Sequence, residues 1–552
     1  MKKLLGLALV MALTGCASLP MAGPVRIGPD LVPTTDGESF YYSPSSPAEG
    51  ATQVEILNGF IAAGTGPQND YAVAREYLSE SIRSNWNPNQ EVLIQRASPK
   101  VSVSDEDTAT LEVDVSAVVD ADGKYQITPP GTSRVLEFEF VLENSQWRLS
   151  SAPDATVLIR PVFDVVFSAY SVFFVDRQKR FLVPDLRWFP TTAATGTRLA
   201  NALLRGATSW LKPAVVSAIP TGTRLSIDAV TVEDGVALVD LTARALVASR
   251  ADRSLMKEQL DATLSQLPNV SEVAISIERS RQDIQDGDSD PQSLVTRSLG
   301  VLSETGLELI SSSEGSFSQP GKEFFDLNGV SEIALSSQSG WIAALTNEGV
   351  VRTRGERPGE DLEVVDSRPA NAGIAFDRQE YLWTLSRSPG DNVIVTSPNG
   401  ESNIVSAPWL GGQSVRSFAL SPEGSKVALL LQGSAQTRVF ISGIVRNTSG
   451  LPIELAEPIQ VAGEQSNPIS VSWVDQLTIA TVNVQGDSTT GLLTTIGGTS
   501  RSIPALVGTR TIVAAGVSAQ LYLLTESGEL FSYRGSTWAP VRQSIRALAV
   551  FN

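Results

Sequence analysis

A cysteine near the beginning of the chain has the clearest chemical potential in this sequence. Cys16 is the only cysteine among 552 residues, and it ends the motif Leu13-Thr14-Gly15-Cys16. Two lysines and an apolar run from Leu4 to Leu13 precede it. A charged segment followed by about ten apolar residues is typical of an export signal, and such a run is too short to span a bilayer. The pattern predicts a cleaved signal over residues 1–15, with Cys16 at the cleavage point.

The four residues that end at Cys16 resemble the lipobox of bacterial lipoproteins. The resemblance implies that Cys16 becomes the mature N-terminus, as an S-diacylglycerol cysteine whose amino group carries a further acyl chain such as palmitate. It also implies that the protein is lipid-anchored to the cell membrane on its extracytoplasmic face. The alternative is an ordinary secretory signal that contains an incidental cysteine.

Other reaction chemistry is restricted by the absence of one residue type. The chain contains no histidine, which excludes Ser-His-Asp and Cys-His catalysis and every zinc site that requires imidazole. Acylation of Cys16 would also remove the only thiolate. Carboxylate chemistry, a lysine base and oxygen-ligated calcium or magnesium stay open. We find no cofactor motif and no phosphate-binding loop, and we expect a protein that is not an enzyme.

Two short motifs resemble catalytic signatures but lack their companions. Residues 254–257, Ser-Leu-Met-Lys, match the Ser-x-x-Lys of penicillin-binding enzymes, yet no Lys-Thr-Gly occurs in the chain. Residues 535–538, Gly-Ser-Thr-Trp, resemble the end of a sialidase-type Asp-box. Tyr533 or Arg534 stands where that motif needs an aspartate. We expect neither motif to be catalytic.

Acidic residues form two further groups of candidates. The spacing of Asp286, Asp288 and Asp290 is similar to a calcium loop, but Pro291 replaces the glycine and Arg297 the bidentate acid that such a loop requires. We therefore expect a solvated acidic linker over residues 281–297 and no metal site.

Four acidic residues on expected loops of the last domain could form the carboxylate pair of a glycosidase. They are Asp361, Asp377, Asp391 and Glu423.

The charge of the chain restricts its partners. The formal net charge is −18, and removal of residues 1–15 leaves 40 basic and 60 acidic side chains, a net charge of −20. A body this acidic is repelled by phosphate backbones and anionic lipids, so nucleic acid is not expected as a partner. Attachment to the membrane must come from acyl chains, because no later apolar run reaches the roughly 18 residues of a transmembrane helix.

Composition and periodicity divide the first part of the mature chain into three segments. Residues 16–50 carry the lipidated cysteine and a flexible tether. Residues 51–155 show helical spacing and then strand alternation, which predicts a small α+β domain. Within it Trp86 and Trp147 are expected in the core, with a ligand cavity as the alternative. Residues 156–194 are aromatic-rich and are expected to form a connector that packs domains together, with a partner groove as the alternative.

The segment 195–280 has the clearest modular pattern. Leu199 and Leu203 mark a first helix, residues 236–241 a strand, Met256 and Leu260 a second helix, and residues 273–277 a last strand. This order resembles the GerMN domain of sporulation, germination and envelope lipoproteins of Gram-positive bacteria. The resemblance implies an α/β binding module without chemistry of its own.

Residues 298–552 are predicted to form a β-propeller of about six blades. A short apolar strand with a small central residue recurs every 40 to 50 residues, which is the length of one four-stranded blade. The recurring strands lie at 333–335, 374–376, 418–420, 471–473, 513–515 and 547–550. The last of them ends the chain, so we expect it to share a blade with residues 306–310 and thus to close the ring.

The domain order as a whole resembles the LpqB family of actinobacterial lipoproteins. The most telling stretches are residues 74–81, residues 182–185 with Trp188, and the GerMN-like core. The resemblance implies an accessory of the MtrA–MtrB two-component system, which contacts the extracytoplasmic domain of the MtrB-like sensor histidine kinase and affects envelope homeostasis and division. The alternatives are a lectin for cell-wall glycan, a carboxylate-dependent propeller glycosidase and a structural scaffold.

Overall fold

The structure, a computed structural model, describes most of the chain beyond the tether. The described residues are 44–105, 107–284, 297–304, 306–310, 317–318, 329–354, 362–368, 370–433, 436–461, 467–516 and 519–551. Cys16 and the signal at 1–15 lie outside these ranges, as do the tether up to residue 43, the acidic group 286–290 and Asp361. Within the described ranges, no helix has both the length and the apolar character needed to cross a membrane.

The first domain is a seven-stranded sheet with short helices packed on one face. Its helices are α1 (Gln53–Ala63), α2 (Ala72–Glu76) and α3 (Glu80–Arg83). Its strands are β1 (Glu91–Gln95), β2 (Lys100–Asp105), β3 (Thr108–Asp120), β4 (Tyr125–Ile127), β5 (Ser133–Glu143), β6 (Gln146–Ser151) and β7 (Thr156–Ile159). The sheet order is β6-β5-β3-β1-β7, and both β2 and β4 pair with β3.

Alternation along β3 explains why the helices cover one face of this sheet. Leu111, Val113 and Val115 are buried, and the residues between them are more exposed. A capping box starts α1: the backbone N–H of Thr52 donates to Glu55 Oε2 at 2.8 Å, and the Glu55 N–H donates to the Thr52 hydroxyl at 3.4 Å. The α+β prediction for this region is confirmed.

The second region combines two sheets and two long helices around one core. Its helices are α4 (Arg160–Val166), α5 (Thr195–Arg205) and α6 (Arg250–Leu264), with a 3₁₀ turn at Ala243–Val247. Its strands are β8 (Phe167–Asp176), β9 (Leu182–Pro190), β10 (Val215–Val216), β11 (Thr231–Glu233), β12 (Val236–Leu241), β13 (Glu272–Ile277) and β14 (Ser280–Arg281). The sheet orders are β10-β8-β9 and β11-β12-β13-β14.

The segment expected as a connector contributes strands to this core. Val172 and Val183 of the β8–β9 hairpin lie in one buried cluster with Leu203 of α5, Met256 of α6 and Ile275 of β13. The hairpin is therefore packed as part of the GerMN-like body, since its apolar faces are covered by the two long helices.

The third domain consists of six four-stranded sheets with one additional short strand. The first three are β15 (Ser298–Ser303), β16 (Gly306–Ile310), β17 (Phe317–Ser318) with the last strand β39 (Ile545–Phe551); β18 (Glu332–Leu335), β19 (Trp341–Thr346), β20 (Gly349–Arg354), β21 (Glu363–Asp366); and β22 (Asn371–Phe376), β23 (Leu382–Ser386), β24 (Val393–Thr396), β25 (Ser402–Val405).

The remaining three sheets follow the same order. They are β26 (Ser414–Leu420), β27 (Lys426–Gln432), β28 (Thr437–Arg446), β29 (Pro452–Leu455) with β30 (Ile459–Val461) also on β28; β31 (Pro468–Trp473), β32 (Thr478–Gln485), β33 (Ser488–Thr495), β34 (Ser500–Pro504); and β35 (Thr509–Ala515), β36 (Gln520–Thr525), β37 (Leu530–Tyr533), β38 (Trp538–Arg542). A 3₁₀ turn occupies Pro408–Leu410.

The ring is closed by strands from the two ends of the domain. β39 pairs antiparallel with β15, which in turn pairs with β16, so Ala549 lies opposite Gly300. The six recurring strands predicted from sequence lie in β18, β22, β26, β31, β35 and β39, and each contacts the next around the ring. The propeller and its closing blade are confirmed.

Candidate functional site

A cleft of about 760 Å³ lies where all three domains meet, and it is a candidate binding site. Tyr125 and Ile127 of β4 form one wall, and Trp210 of the GerMN-like region forms another. Arg438 of β28 and residues 494–498 of the fifth blade complete it. A cavity of this size with aromatic walls and a few polar groups is typical of a binding site.

Strand β9 determines how the three domains meet, because Trp188 contacts all of them. Its backbone N–H donates to the carbonyl of Gly123 at 2.7 Å, and its indole N–H donates to the carbonyl of Gly497 in the propeller at 2.9 Å. Its ring lies 5.1 Å from that of Phe163 and 5.8 Å from that of Tyr125. These contacts connect the first domain, the GerMN-like region and the propeller through one side chain.

The approach of β9 to the first domain requires glycine at position 123. Gly123 has a φ of +78°, and a Cβ built on it would lie 2.8 Å from the carbonyl oxygen of Trp188. Any other residue would therefore be strained and would also push β9 away.

A buried ion pair beneath the cleft stabilises the same junction. Arg187 and Asp185 are 1 % and 3 % exposed, and their side chains lie 2.7 Å apart. Arg187 also donates to the backbone carbonyls of Asp122 at 3.0 Å and Gly206 at 3.3 Å. Asp185 accepts a hydrogen bond from the backbone N–H of Thr208 at 2.7 Å. The pair therefore links the first domain to the GerMN-like region.

The carboxylate of Asp122 adds a second electrostatic link at this junction. It lies 2.5 Å from Arg205 of α5 and 2.9 Å from Lys124. Burial acts to raise the pKa of Asp122, but the hydrogen bond from Lys124 and the charges of Arg205, Lys124 and Arg187 outweigh it, so the pKa is lowered.

This lowered pKa predicts that the junction weakens in acid. A carboxyl whose pKa is lower in the folded than in the unfolded chain, where it is about 3.9, stabilises the fold above that pH and ceases to do so as the pH falls through the folded value. We expect Asp122→Asn to be less stable than the native chain at pH 6, with the difference shrinking below about pH 4. Urea unfolding midpoints between pH 3 and 7 measure this, and an equal difference at every pH would contradict it.

The propeller side of the junction uses backbone carbonyls and close packing. Gln476 Nε2 donates to the carbonyl of Leu182 at 2.9 Å, and Gln178 Nε2 donates to that of Asn447 at 3.0 Å. The Arg378 guanidinium lies 4.4 Å from the ring centre of Phe181, at the tip of the β8–β9 hairpin. The β8–β9 hairpin therefore contacts the third, fourth and fifth sheets of the propeller.

The polar side chains of the cleft are partly engaged within the protein. Two of its cations are already paired, Arg96 with Asp114 at 2.7 Å and Lys124 with Asp122. Arg438 and Ile127 are exposed at its edge. Such a surface combines an apolar wall with a cation at the rim, which suits an acidic or mixed peptide segment.

The carboxylates proposed from sequence for a glycosidase do not lie together in an open site. Asp377 is buried, and it accepts hydrogen bonds from the indole of Trp383 and from Arg446, both at 2.8 Å. Glu423 is fully buried, and Lys426 lies 2.6 Å from it. Both carboxylates serve as internal ion-pair partners. Asp391 is exposed and accepts from Ser386, and Asp361 lies outside the described residues.

The other sequence candidates have structural roles in the described chain. The Ser254–Lys257 segment lies on α6, where Met256 is buried in the core and Lys257 lies 4.0 Å from Asp261. Trp86 packs 5.0 Å from Phe60, with its indole donating to the carbonyl of Pro153, so the prediction of a core position holds.

The remaining tryptophans proposed from sequence also pack against aromatic neighbours. Trp147, which was expected in the core, is only partly buried at the core's edge, where its ring lies edge-on to that of Phe140 at 6.5 Å. Trp538, at the end of the Gly-Ser-Thr-Trp motif, packs in a tilted arrangement with its ring centre 4.9 Å from that of Tyr533. Among the described residues, no group of three or more acidic side chains is arranged to hold a metal ion.

Comparison with protein families matches each of the three regions. The model of the lipoprotein LpqB N-terminal domain matches residues 46–164, the Germane model of sporulation and spore germination matches 171–283, and the LpqB β-propeller model matches 311–548. The chain belongs to the LpqB lipoprotein family. The Germane match begins within β8, so it includes most of the hairpin that the sequence suggested as a connector.

Relatives of full length extend the similarity. Lipoprotein LpqB of Cutibacterium acnes is 25 % identical over 98 % of both chains, and that of Thermobifida fusca is 24 % identical over 92 % of both. Among solved structures, a nidogen/laminin complex aligns with a TM-score of 0.37 and 9 % identity, over 46 % of this chain and 98 % of that one. LpqB membership thus rests on sequence, and the relatives are named lipoproteins, which implies lipid anchoring.

Sequence reasoning did not find the cleft itself. The sequence marks Trp188 as part of a distinctive stretch, but its hydrogen-bond partners Gly123 and Gly497 lie 65 and 309 positions away from it in the chain. The one available signal was the density of aromatic residues in 156–194, which is unusual for a solvated connector.

Proposed function

We propose that this LpqB protein is a non-enzymatic, lipid-anchored accessory of a two-component system of the MtrAB type. It binds the extracytoplasmic domain of an MtrB-like sensor histidine kinase and modulates signalling in envelope homeostasis and division. Cys16 carries the anchor, so the body is held at the outer face of the cell membrane. The experiment below also tests for contact with the cell wall.

The observation that carries this proposal is the cleft built from three domains. Its walls come from β4, the GerMN-like region and the propeller, so an occupant contacts all three at once. The β9 contacts hold those walls in fixed positions, which lowers the entropy lost when a partner binds. Two of the carboxylates suggested for catalysis, Asp377 and Glu423, are buried in ion pairs, which favours binding over reaction.

The test is binding of the mature lipidated protein in nanodiscs to the purified sensor domain of the kinase. We expect saturable binding with a Kd in the micromolar range or tighter, on the order of 8 kcal/mol of binding free energy. Ile127→Glu places a charge on an exposed apolar residue of the cleft wall and is expected to weaken binding about tenfold or more.

The matched control is Ile404→Glu, which changes another exposed isoleucine, on β25 and outside the cleft. It should leave the affinity within about twofold of the native value, because an exposed substitution outside an interface contributes little. Absence of binding at about 100 μM would contradict the proposal. Retention on purified cell-wall glycan in that case would favour the lectin alternative.

A further inference from the structure

A second cavity, of about 400 Å³, lies on the axis of the propeller. It is lined by residues of the six inner strands, which surround the axis as a closed ring. Ser470 and Thr511 are each the third residue of an inner strand, and their hydroxyls lie 2.9 Å apart. The starts of β31 and β35 therefore lie together. The Ser414 hydroxyl, at the start of β26, donates to the backbone carbonyl of Arg387 at 2.8 Å. Glu332, at the start of β18, lies close enough to feel the charges of Arg387 and Arg510, so these strand ends gather at one mouth of the channel.

Three arginines surround this mouth. Arg416 is the third residue of β26, Arg510 is the second residue of β35, and Arg387 directly follows β23. All three line the cavity and are exposed to it. In a chain with a net charge of −18, three guanidinium groups around one cavity form a distinct positive region.

Most of the donors of these arginines are not used within the protein. Arg416 Nη1 donates to Gln432 Oε1 at 3.0 Å, and Arg510 Nη2 donates to the backbone carbonyl of Arg546. Among the described residues, no acceptor lies within hydrogen-bond distance of the Arg387 guanidinium. Because each guanidinium carries five N–H donors, many remain available to a ligand in the cavity.

A fourth arginine, at the opposite end of the cavity, is hydrogen-bonded within the protein. Arg297 Nη2 donates to the backbone carbonyls of Trp473 and Val474 at 2.8 and 2.7 Å, where β31 ends. Burial lowers the pKa of Arg297 to about 10. The Arg297 guanidinium therefore donates to backbone carbonyls of the protein, unlike that of Arg387.

One carboxyl, that of Glu332, faces the same cavity among the described residues. Its surroundings raise its pKa to about 6, because loss of solvent outweighs the hydrogen bond from the Ile374 N–H and the charges of Arg387 and Arg510. No cation of the described chain lies within 4 Å of it. Burial lowers the pKa of Arg510, and the charges of Glu332 and of Glu526, on a neighbouring loop, partly oppose this effect. Among the described residues that line this mouth, the three arginines exceed an ionised Glu332 by two positive charges.

We propose that this mouth of the propeller channel binds a phosphate group. The surplus of positive charge matches a doubly charged phosphate better than a single carboxylate, and guanidinium groups bind phosphate oxygens in pairs. The volume accommodates a small phosphorylated molecule or the end of a larger one. The proposal is independent of kinase binding, because this cavity and the three-domain cleft are lined by different residues.

Calorimetry on the mature lipidated protein in phosphatidylcholine nanodiscs tests this inference. Inorganic pyrophosphate represents a free phosphate, and dihexanoyl phosphatidylglycerol below its micelle concentration represents a lipid headgroup. We expect at least one of them to bind, with an affinity that falls as salt is raised. Arg387→Gln, which removes no contact within the protein, should weaken binding about tenfold. Glu332→Gln should strengthen it about threefold at pH 7.

The matched control is Arg501→Gln, which removes the same charge from an exposed position on β34, outside the cavity. It should change the affinity less than about twofold. Whichever of the two ligands binds shows whether the phosphate comes from a free phosphate compound or from a lipid headgroup. The proposal is wrong if neither ligand binds in the millimolar range, if Arg501→Gln weakens binding as much as Arg387→Gln, or if acetate binds as tightly as phosphate.

Discussion

Replacing Arg187 with alanine is expected to destabilise the protein by about 3–5 kcal/mol, the usual cost of removing one partner from a buried ion pair. The substitution leaves the Asp185 carboxylate 3 % exposed, with the donors of Thr208 as its remaining hydrogen-bond partners. It also removes the hydrogen bonds to the carbonyls of Asp122 and Gly206. Urea unfolding followed by tryptophan fluorescence measures the loss, and Trp188 lies next to the substituted residue.

Arg205→Ala is the matched control for this experiment. Arg205 also contacts Asp122, at 2.5 Å, but its side chain is half exposed. An exposed ion pair contributes at most about 1 kcal/mol, so this variant should unfold close to the native midpoint. Equal destabilisation by the two substitutions would show that burial of Arg187 is not what stabilises the junction.

Arg187→Ala should also change how the first domain is held. Because Arg187 donates across the boundary to Asp122, we expect protease cleavage near residues 156–166 to become faster in the variant. The Arg205→Ala variant should be cleaved by the protease at the same rate as the native protein. This readout separates loosening of the junction from a general loss of stability.

Deleting residues 545–552 is expected to have the largest effect on the propeller. β39 is the inner strand of the blade that joins the two ends of the domain, and it buries Ile545, Ala547 and Ala549. Its loss exposes an unpaired edge of β15 and leaves a gap between β18 and β35. We expect a loss of about 4–5 kcal/mol or more, which corresponds to about 10–20 °C in Tm for a domain of this size.

A synthetic peptide of residues 545–551 provides the control for the deletion. Added in excess, it should restore part of the lost Tm, since it re-forms the antiparallel pairing with β15. A peptide of the same composition in scrambled order should not, because the alternation that buries Ile545, Ala547 and Ala549 is lost. An unchanged Tm after deletion would mean that closure by β39 does not stabilise the ring.

Two carboxylates that the sequence offers as catalytic candidates instead help to stabilise the blades. Asp377 and Arg446 are 69 positions apart and lie in neighbouring blades. Glu423 and Lys426 form a pair that is almost completely buried. Sequence could place these carboxylates on loops after strands, but the identity of their partners depends on how the blades pack.

The sequence by itself determined much of the architecture. Small residues at the centre of six short apolar strands predicted the inner strands of the propeller, because only small side chains fit near a crowded axis. The inner-type strand at 547–550 and the apolar run at 306–310, which precedes the first full repeat, together predicted the closing blade. The periodicity of residues 195–280 likewise indicated the helices and strands of the Germane region. These features are local or repeated, so pattern is sufficient to find them.

Only the tertiary structure decided where the candidate sites lie. The cleft depends on Trp188 reaching Gly123 and Gly497, and the channel mouth depends on Arg387, Arg416 and Arg510 converging from different blades. Nothing in the local pattern distinguishes these arginines from Arg297 or Arg187, which are committed to the protein. The physical reason is that burial and pairing of a charged side chain depend on residues far away in sequence, whereas strand and helix formation depends on its neighbours.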